Sequence, residues 1–566
     1  MEERIRKAVS EALANMGASD ISFAVERPGI AAHGDYATNA ALAAAKALGR
    51  KPHEIADEIA RLLIETLGKD TASHVSVAGP GFVNIMLARE AVTLAVAEAD
   101  AQGSEWGKGA VETGQRVLIE YTDPNPFKEM HIGHLMSSVI GEALARLIGN
   151  EGSTVIRANY QGDVGPHVAK ALWGLQKAGI TEPVTAKEIG EAYAAGSHAY
   201  EESPETKVEI DALNQAIYAG TNHEIMELWR KGRDVSLAAF EQLYKFLGTH
   251  FDYYFFESET AESGLRLVRD GLAKGVFEES EGAIIYRGEK KDLHTLVFIT
   301  SKGTPTYEAK DIGLAFLKEE RVSNNRSIIV TAAEQIGHFA VVLAALGELA
   351  PLVAQKTSHV PHGFLRLASG KMSSRAGNVI TAAGLIEDII KKASEKNADP
   401  LIAEQVALGA IKYMILRQSP GSDIIFDEEK SLSLEGDSGP YLQYALVRAK
   451  SVLAAAAEKG GAQAAPTSEV GAPTESVGAG APEAPYLLER IILHFPEVAA
   501  RAASELAPNL LVNYLTELAG EWNSFYAQER IIGGDHEAHK LMLARAFVTT
   551  MTNGLTILGI PAPERM

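Results

Sequence analysis

The stretch between residues 116 and 159 most constrains the fold. RVLIEY at 116–121 is a compact apolar strand, a loop with two prolines follows, and an apolar helix runs from about 131 to 149. TVIRAN at 154–159 reads as a second strand, and SIIVTA at 327–332 as a further buried one. Strand, helix and strand in this order open a doubly wound parallel sheet of the nucleotide-binding kind. Such a sheet takes its ligand outside the C-terminal ends of its strands. The segment from Glu120 to His134, EYTDPNPFKEMHIGH, sits at such an end.

With 566 residues the chain exceeds one hydrophobic core, so several domains are expected. Residues 1–108 read as a small α+β domain, with helical periodicity over 2–16 and 40–67 and short strands around a Gly-Pro turn at 74–87. Residues 109–430 form the doubly wound domain. Its stretch from about 170 to 290 is too long for a simple crossover and is expected to be a helical insertion. Helices follow from about 384, and 431–566 reads as all-α. Within that last region, residues 458–485 are dominated by Ala, Gly, Pro, Glu and Ser. Such a segment cannot offset its ordering entropy, so a disordered loop is expected.

The net charge of −21 argues against a non-specific nucleic-acid binder, whose affinity comes from a broad basic face. It leaves room for an enzyme that docks RNA through local patches, and most of the acidity is expected to be solvated surface. The chain has no cysteine, which excludes disulfides and thiolate zinc sites, and no His and carboxylate spacing suggests another metal site. The N-terminal MEERIRKAVSEAL is charged and amphipathic, and no apolar run is long enough to span a bilayer, so a cytoplasmic protein without a membrane partner is expected.

His131 and His134 are three apart at a helix start, so their rings share a face. Gly133 removes a side chain between them and would let a flat group approach the backbone. A helix N-terminus suits phosphate, and two imidazoles there could stabilise charge developing on an α-phosphate as pyrophosphate leaves. A His-x-x-His pair alone is more often a helix cap and a half-buried histidine. The tetrad His-Ile-Gly-His after a strand, a Pro-Asn turn and Lys128 is far more specific. Residues 371–375, KMSSR, offer a Gly-flanked loop that could close Lys371 over a triphosphate.

In this order and separation, the two motifs resemble the HIGH and KMSKS motifs of class I aminoacyl-tRNA synthetases. The closer resemblance is to arginyl-tRNA synthetases. EYTDPNPFKEMHIGHL looks like their version of the first motif, and GDYATNAA at 34–41 is similar to their N-terminal domain. IRANYQGDVG at 156–165, TYEAKDIGLA at 306–315, AAEQIGHF at 332–339 and SGPYLQYALVRAKSVL at 438–453 resemble further family segments. The likeness runs through to GLTILGIPAPERM at the end.

That resemblance implies a ligase that joins L-arginine to tRNA(Arg) through an arginyl-adenylate, with ATP and Mg2+ as the nucleotide substrate and no other cofactor. It implies catalytic roles for Lys128, His131, His134 and Lys371. The ATP site would comprise His131, Gly133, His134, Lys371, Met372 and Ser373. For arginine it implies Glu120, Asn125, His134, Tyr307, Asp311 and Gln335. The chemistry agrees, because a guanidinium needs carboxylates matched to its fork of donors, and Tyr307 and Asp311 lie one helical turn apart. Asn39, Asn523, Tyr526 and Met566 are carried over as tRNA contacts, although residues 486–566 hold 6 Lys and Arg against 9 Asp and Glu. Trp522, Phe525 and Tyr526 stand at a spacing that equally suits a helical core. A monomer is expected. One departure concerns the second motif. Its fourth position is Ser374 in place of a lysine, and Ala376 stands where the family often has another. Lys128 fits the substituting role, while the shares of Lys128, Lys371 and Arg375 stay open. Another class I synthetase, a small nucleotidylyltransferase and a non-catalytic RNA-binding paralogue are the rival readings. An amino-acid screen, the chain's length and the intact Lys128, His131, His134 and Lys371 bear on them in turn.

Overall fold

The computed structural model describes residues 1–368, 381–460 and 480–566. The second motif, with Lys371, Met372, Ser373 and Ser374, lies outside the described residues, as does 461–479 of the low-complexity stretch. The described chain forms two compact units. One comprises 1–107, 444–499 and 514–554, and the other 108–443, 500–513 and 555–566.

In the first unit an antiparallel sheet has the order β1 (Val25–Glu26), β2 (Tyr36–Thr38), β4 (Phe82–Leu87), β3 (Ala72–Ala78). It packs with α1 (Glu2–Asn15), α2 (Ala40–Leu48) and α3 (Pro52–Leu67), while α4 (Arg89–Gln102) follows. Ile5, Val9 and Leu13 of α1 meet Ile55, Ile59 and Leu63 of α3 over Val83 and Ile85. The periodicity over 40–67 resolves into two helices. Gly49 turns left-handed to end α2, and Pro52 opens α3, where its missing N–H costs nothing. The helical residues of 444–499 and 514–554 complete this unit around Trp522, which is fully buried and stacks on Phe547 at 4.6 Å.

The second unit is built on a five-stranded parallel sheet. Its order is β12 (Thr357–His362), β11 (Arg326–Ala332), β5 (Arg116–Glu120), β6 (Thr154–Gln161), β7 (Tyr253–Phe256). The apolar run Val117–Leu118–Ile119 forms β5 because that strand is covered on both faces. From β5 the chain winds one way through α5 (Ile132–Asn150) to β6 and β7, then crosses to β11 and β12 on the other side. The order therefore reverses between β5 and β11, where such folds open a crevice at the strand C-termini.

Between β6 and β7 lie α6 (Pro166–Lys177), α7 (Ala186–Glu202), α8 (Pro204–Ala219) and α9 (His223–Leu247), packed through Leu172, Leu175, Ile189 and Ile210. The stretch expected to be helical to about 290 also contains strands. After α10 (Glu257–Ala273) comes an antiparallel sheet of β8 (Glu278–Ser280), β9 (Ala283–Tyr286) and β10 (Leu296–Ile299). Glu281 and Gly282 both have positive φ, 50° and 79°, which gives the two-residue hairpin turn its left-handed geometry. The remaining elements around the crevice are α11 (Tyr307–Arg321) and α12 (Ile336–Leu349).

Candidate active site

The loop from β5 to α5 is strained and pinned. Thr122, Asp123 and Phe127 have φ of 76°, 47° and 69°, and a β-branched residue there is a rare outlier. Each is held by a different element. The Thr122 N–H donates to Ser137 Oγ on α5 at 2.9 Å, and its hydroxyl meets Ser138 Oγ at 2.7 Å. Asp123 Oδ1 accepts the Tyr160 N–H of β6 at 2.8 Å, and the Phe127 N–H donates to Ser236 Oγ of α9 at 3.0 Å. Ser137 Oγ also donates to the Val330 carbonyl of β11 at 2.8 Å, so one hydroxyl ties the loop to the strand across the crevice.

His131 caps α5. Its Nδ1 accepts the Gly133 N–H at 3.0 Å, while its own N–H donates to His134 Nδ1 at 3.2 Å. The rings stack with centroids 3.8 Å apart. A Cβ on Gly133 would come within 2.8 Å of the His131 ring, so the flat group that this glycine admits is His131 itself. Because both Nδ1 atoms accept, the proton of each neutral ring sits on Nε2. Burial pushes both rings below the ordinary imidazole range, and the Lys128 charge adds to this; for His134 the His131 ring contributes before Lys128. The site thus presents two neutral Nε2–H donors at a helix N-terminus. Thr381, where the described chain resumes after the second motif, forms a β-bridge with His131, and the Ala382 N–H donates to the Met130 carbonyl at 2.8 Å.

Lys128 lies 4.8 Å from the Tyr193 ring centroid on α7, a cation–π contact with the insertion. Asn125 is half-buried beside Gly162. A Cβ there would fall 2.2 Å from Asn125 Oδ1 and 3.2 Å from Glu257 Oε1, so Gly162 lets these two side chains share the end of β6.

Glu120 and Asp311 line one narrow cavity of about 30 Å³ together with Lys318 and Phe339. Glu120 is buried and already has a partner, since Lys318 Nζ lies 2.6 Å from its Oε2. Burial raises the Glu120 carboxyl and Asp311 adds to the rise, while Lys318 lowers it; the net direction is upward. Tyr307 is exposed, and its ring takes Lys310 Nζ at 5.2 Å from its centroid. Gln335 is half-buried just after β11.

Several polar residues of this crevice were not singled out in the sequence. Lys310 Nζ meets Glu257 Oε2 at 2.6 Å, both buried. Burial first, then Glu120, pushes Asp123 well above the carboxylate range. His338 Nε2 lies 2.5 Å from Asp311 Oδ2, and its Nδ1 is 3.4 Å from Glu308 Oε1. The one available signal was that the Gln-x-x-His and Tyr-x-x-x-Asp segments each carry a titratable residue without an assigned partner.

The four residues carried over as tRNA contacts differ in setting. Asn39 Oδ1 accepts the Ala24 N–H at 2.8 Å and begins α2. Asn523 Oδ1 accepts from Arg448 at 3.2 Å, and the Arg448 guanidinium lies 4.5 Å from the centroid of the exposed Tyr526 ring and 5.5 Å from that of Tyr444. Trp522 and Phe525 are core. Met566 is half-buried at the terminus.

Comparison with known proteins bears on what this arrangement serves. Residues 96–428 match the family described as tRNA synthetases class I (R), catalytic domain. Residues 442–566 match the DALR anticodon binding domain, and 3–87 the arginyl tRNA synthetase N terminal domain. An arginine–tRNA ligase of Treponema denticola is 30% identical over 545 residues, covering 92% of this chain and 91% of that protein. One from Limosilactobacillus reuteri is 30% identical over 587 residues, covering both chains fully. Among solved structures, a Thermus thermophilus arginyl-tRNA synthetase aligns over the whole of both chains with a TM-score of 0.79 and 26% identity. A Plasmodium falciparum structure shares the fold at a TM-score of 0.79 and 19% identity, covering 100% of this chain and 99% of that one.

Proposed function

The chain belongs to the arginyl-tRNA synthetase family of class I aminoacyl-tRNA synthetases, and from that premise we propose how its own residues carry the reaction. The reaction is the ATP-dependent attachment of L-arginine to tRNA through an arginyl-adenylate. An arginine carboxylate oxygen attacks the α-phosphorus of ATP, and the bond to the β-phosphate bridging oxygen breaks, releasing pyrophosphate. A hydroxyl of the terminal adenosine of tRNA then attacks the activated carbonyl. AMP leaves, and the hydroxyl proton is lost.

The observation that carries the site reading is the stacked neutral pair at the N-terminus of α5. His131 and His134 offer Nε2–H donors to the α-phosphate oxygens, where charge builds as pyrophosphate departs. Gly133 makes room for the His131 ring over the helix start, and Lys128 supplies a cation held on Tyr193 until the phosphates arrive. Lys371, Met372 and Ser373 of the second motif complete the nucleotide site, and ATP enters as its magnesium complex. At the other end of the crevice, Asp311 and Glu120 face the guanidinium, Tyr307 flanks it, and Asn125, Gln335 and His134 hold the amino-acid end. The work is positioning and charge neutralisation.

We assign 1–108 and 431–566 to contacts with tRNA(Arg), through Asn39, Asn523, Tyr526 and Met566, and 109–430 to the chemistry. The Arg448–Tyr526 stack supports a role in taking a splayed base. The enzyme is proposed to work as a cytoplasmic monomer. Among the described residues no helix is long and apolar enough to cross a membrane. Pyrophosphate exchange with each amino acid, with and without tRNA, tests the reading. Exchange is expected with arginine only and only when tRNA is present, and robust exchange with another amino acid would overturn it.

A further inference from the structure

Three carboxylates of the crevice each have an internal cation. Glu120 has Lys318 at 2.6 Å, Glu257 has Lys310 at 2.6 Å, and Asp311 has His338 at 2.5 Å. The first two are one-to-one pairs with lysine amines. The third is different in kind. His338 is the third residue of α12, and its ring lies between two carboxylates of α11, Asp311 at Nε2 and Glu308 at Nδ1. The three side chains are only 15–17% exposed. Both ring nitrogens face acceptors, so both are used as donors and the ring is an imidazolium.

Two influences oppose that charge, namely burial and the helix N-terminus. The hydrogen bonds to Asp311 and Glu308 outweigh them, and the ring is pushed up to about 9. The ring also meets Phe339 edge-on at 5.1 Å. The nearby His359 on β12 is itself lowered to about 4, by burial first and then by the His338 charge, so it stays neutral. Its Nε2 is within 2.8 Å of Thr331 Oγ1, and its ring stacks on Phe339.

The charges can be counted. Glu120 with Lys318 sums to zero, as does Glu257 with Lys310. Asp123 is driven toward its neutral form by burial and by Glu120. Asp311, Glu308 and the His338 cation sum to minus one. Glu120 and Glu257 each face a lysine, whereas the α11–α12 cluster sets two carboxylates against one imidazolium, an excess that one guanidinium cancels.

We propose that His338 is a positioning residue for arginine selection: clamped between Asp311 and Glu308, it fixes the Asp311 carboxylate through Oδ2 and leaves Oδ1 for the guanidinium. An aspartate χ2 torsion is otherwise broad, so a carboxylate without this clamp samples orientations that cannot meet a planar fork of donors. The clamp also keeps the cluster at one net negative charge, the complement of one arginine side chain. The proposal rests on the reading of Asp311 as a guanidinium partner.

Steady-state aminoacylation of four variants, H338A, H338Q, D311N and the D311N/H338A double, tests it. H338A is expected to raise the arginine KM about tenfold, to change kcat by less than about threefold, and to leave the ATP KM unaltered. H338Q retains one donor for Asp311 and should return the arginine KM to within about threefold of wild type. In the D311N background, H338A should add less than about twofold, because the residue acts through Asp311. Thermal melts accompany each variant, and if H338A unfolds, H338L, which fills the ring's volume without a donor, and its double with D311N carry the same comparison. A wild-type arginine KM in H338A, or a full independent effect of His338 in the D311N background, overturns the proposal while leaving Asp311 in its role. A wild-type arginine KM in D311N overturns that role, and the proposal with it.

Discussion

Replacing Glu120 by Gln should damage the fold before it damages recognition. The sequence alone suggests that Glu120 and Asp311 are equivalent guanidinium partners, but the structure separates them. Glu120 and Lys318 lie 2.6 Å apart, with side chains 3% and 6% exposed. At an effective dielectric of about 20, Coulomb's law gives a gross attraction of about 6 kcal/mol at that separation. Desolvation costs several kcal/mol per ion, so the intact pair contributes little net stability. Removing one partner is another matter, because Lys318 is then left charged and buried, at a cost of roughly 3–5 kcal/mol. In calorimetry this should lower the transition of the unit containing residues 108–443 by roughly 5–10 °C. The double variant Glu120→Gln, Lys318→Met removes both charges at similar volume and should recover to within about 1 kcal/mol of wild type. If Glu120 also serves the guanidinium, the double variant folds but still shows an arginine KM raised at least tenfold. A single Glu120→Gln variant that melts with wild type would refute the dependence of Lys318 on this carboxylate. A double variant as unstable as the single would place the loss elsewhere.

Three other expectations follow from the same geometry. His131→Ala and His134→Ala should each slow tRNA-stimulated pyrophosphate exchange on the order of a hundredfold while costing no more than the roughly 0.5–2 kcal/mol of a lost helix cap, and a loss that tracks unfolding would assign the pair to structure alone. In spectra of ring-labelled histidine, His338 should titrate near 9, vanish in H338Q and fall back toward 6.5 in D311N. Because its folded value is raised, the stability it contributes is complete below pH 6.5 and is lost as pH rises through about 9. Ser137→Ala orphans the Thr122 N–H and the Val330 carbonyl, so it should cost roughly 1–3 kcal/mol for each buried group and depress kcat more than the arginine KM; unchanged stability would mean that solvent or a shifted backbone satisfies both.

Legibility in the sequence followed the range of the interaction. The strand at 116–120 could be read because consecutive apolar residues encode burial on both faces, and the helix start at 131 because a Pro-Asn turn precedes an apolar periodicity. The parallel sheet and the placing of the first motif at its C-terminal edge followed from those local patterns. The hairpin of β8 and β9 did not, because its strands are three and four residues long and rest on the left-handed Glu281 and Gly282. Lys318 could not be assigned to Glu120, since 198 positions separate them and no local pattern links them. His338 was visible as a motif letter, but its partners Asp311 and Glu308 meet it only once α11 and α12 pack. In the C-terminal helices one spacing served two purposes: Trp522 went to the core and Tyr526 to the surface under Arg448.

The two ends of the crevice make opposite electrostatic demands. On the proposed reading Lys128 is the cation of the phosphate end, and the neutral Nε2–H groups of His131 and His134 add donors aimed at the charge that develops on the α-phosphate. The proposed guanidinium end calls for an uncompensated negative charge, which the half-buried α11–α12 cluster would supply. Glu120 and His131 mark the two ends on one continuous segment, and their separation is set by the loop between them. That loop contains three non-glycine residues in left-handed conformations, each costing on the order of 1–3 kcal/mol, and each pinned by a hydrogen bond to a different element of the fold. Strain of this kind persists only where the surroundings over-determine the backbone. Here α5, β6 and α9 do so, and the Ser137 hydroxyl carries the constraint on to β11. The distance between amino-acid and phosphate ends is therefore a property of the packed sheet, and a substitution that relaxes any one pin should misalign the carboxylate with the α-phosphate without touching either ligand.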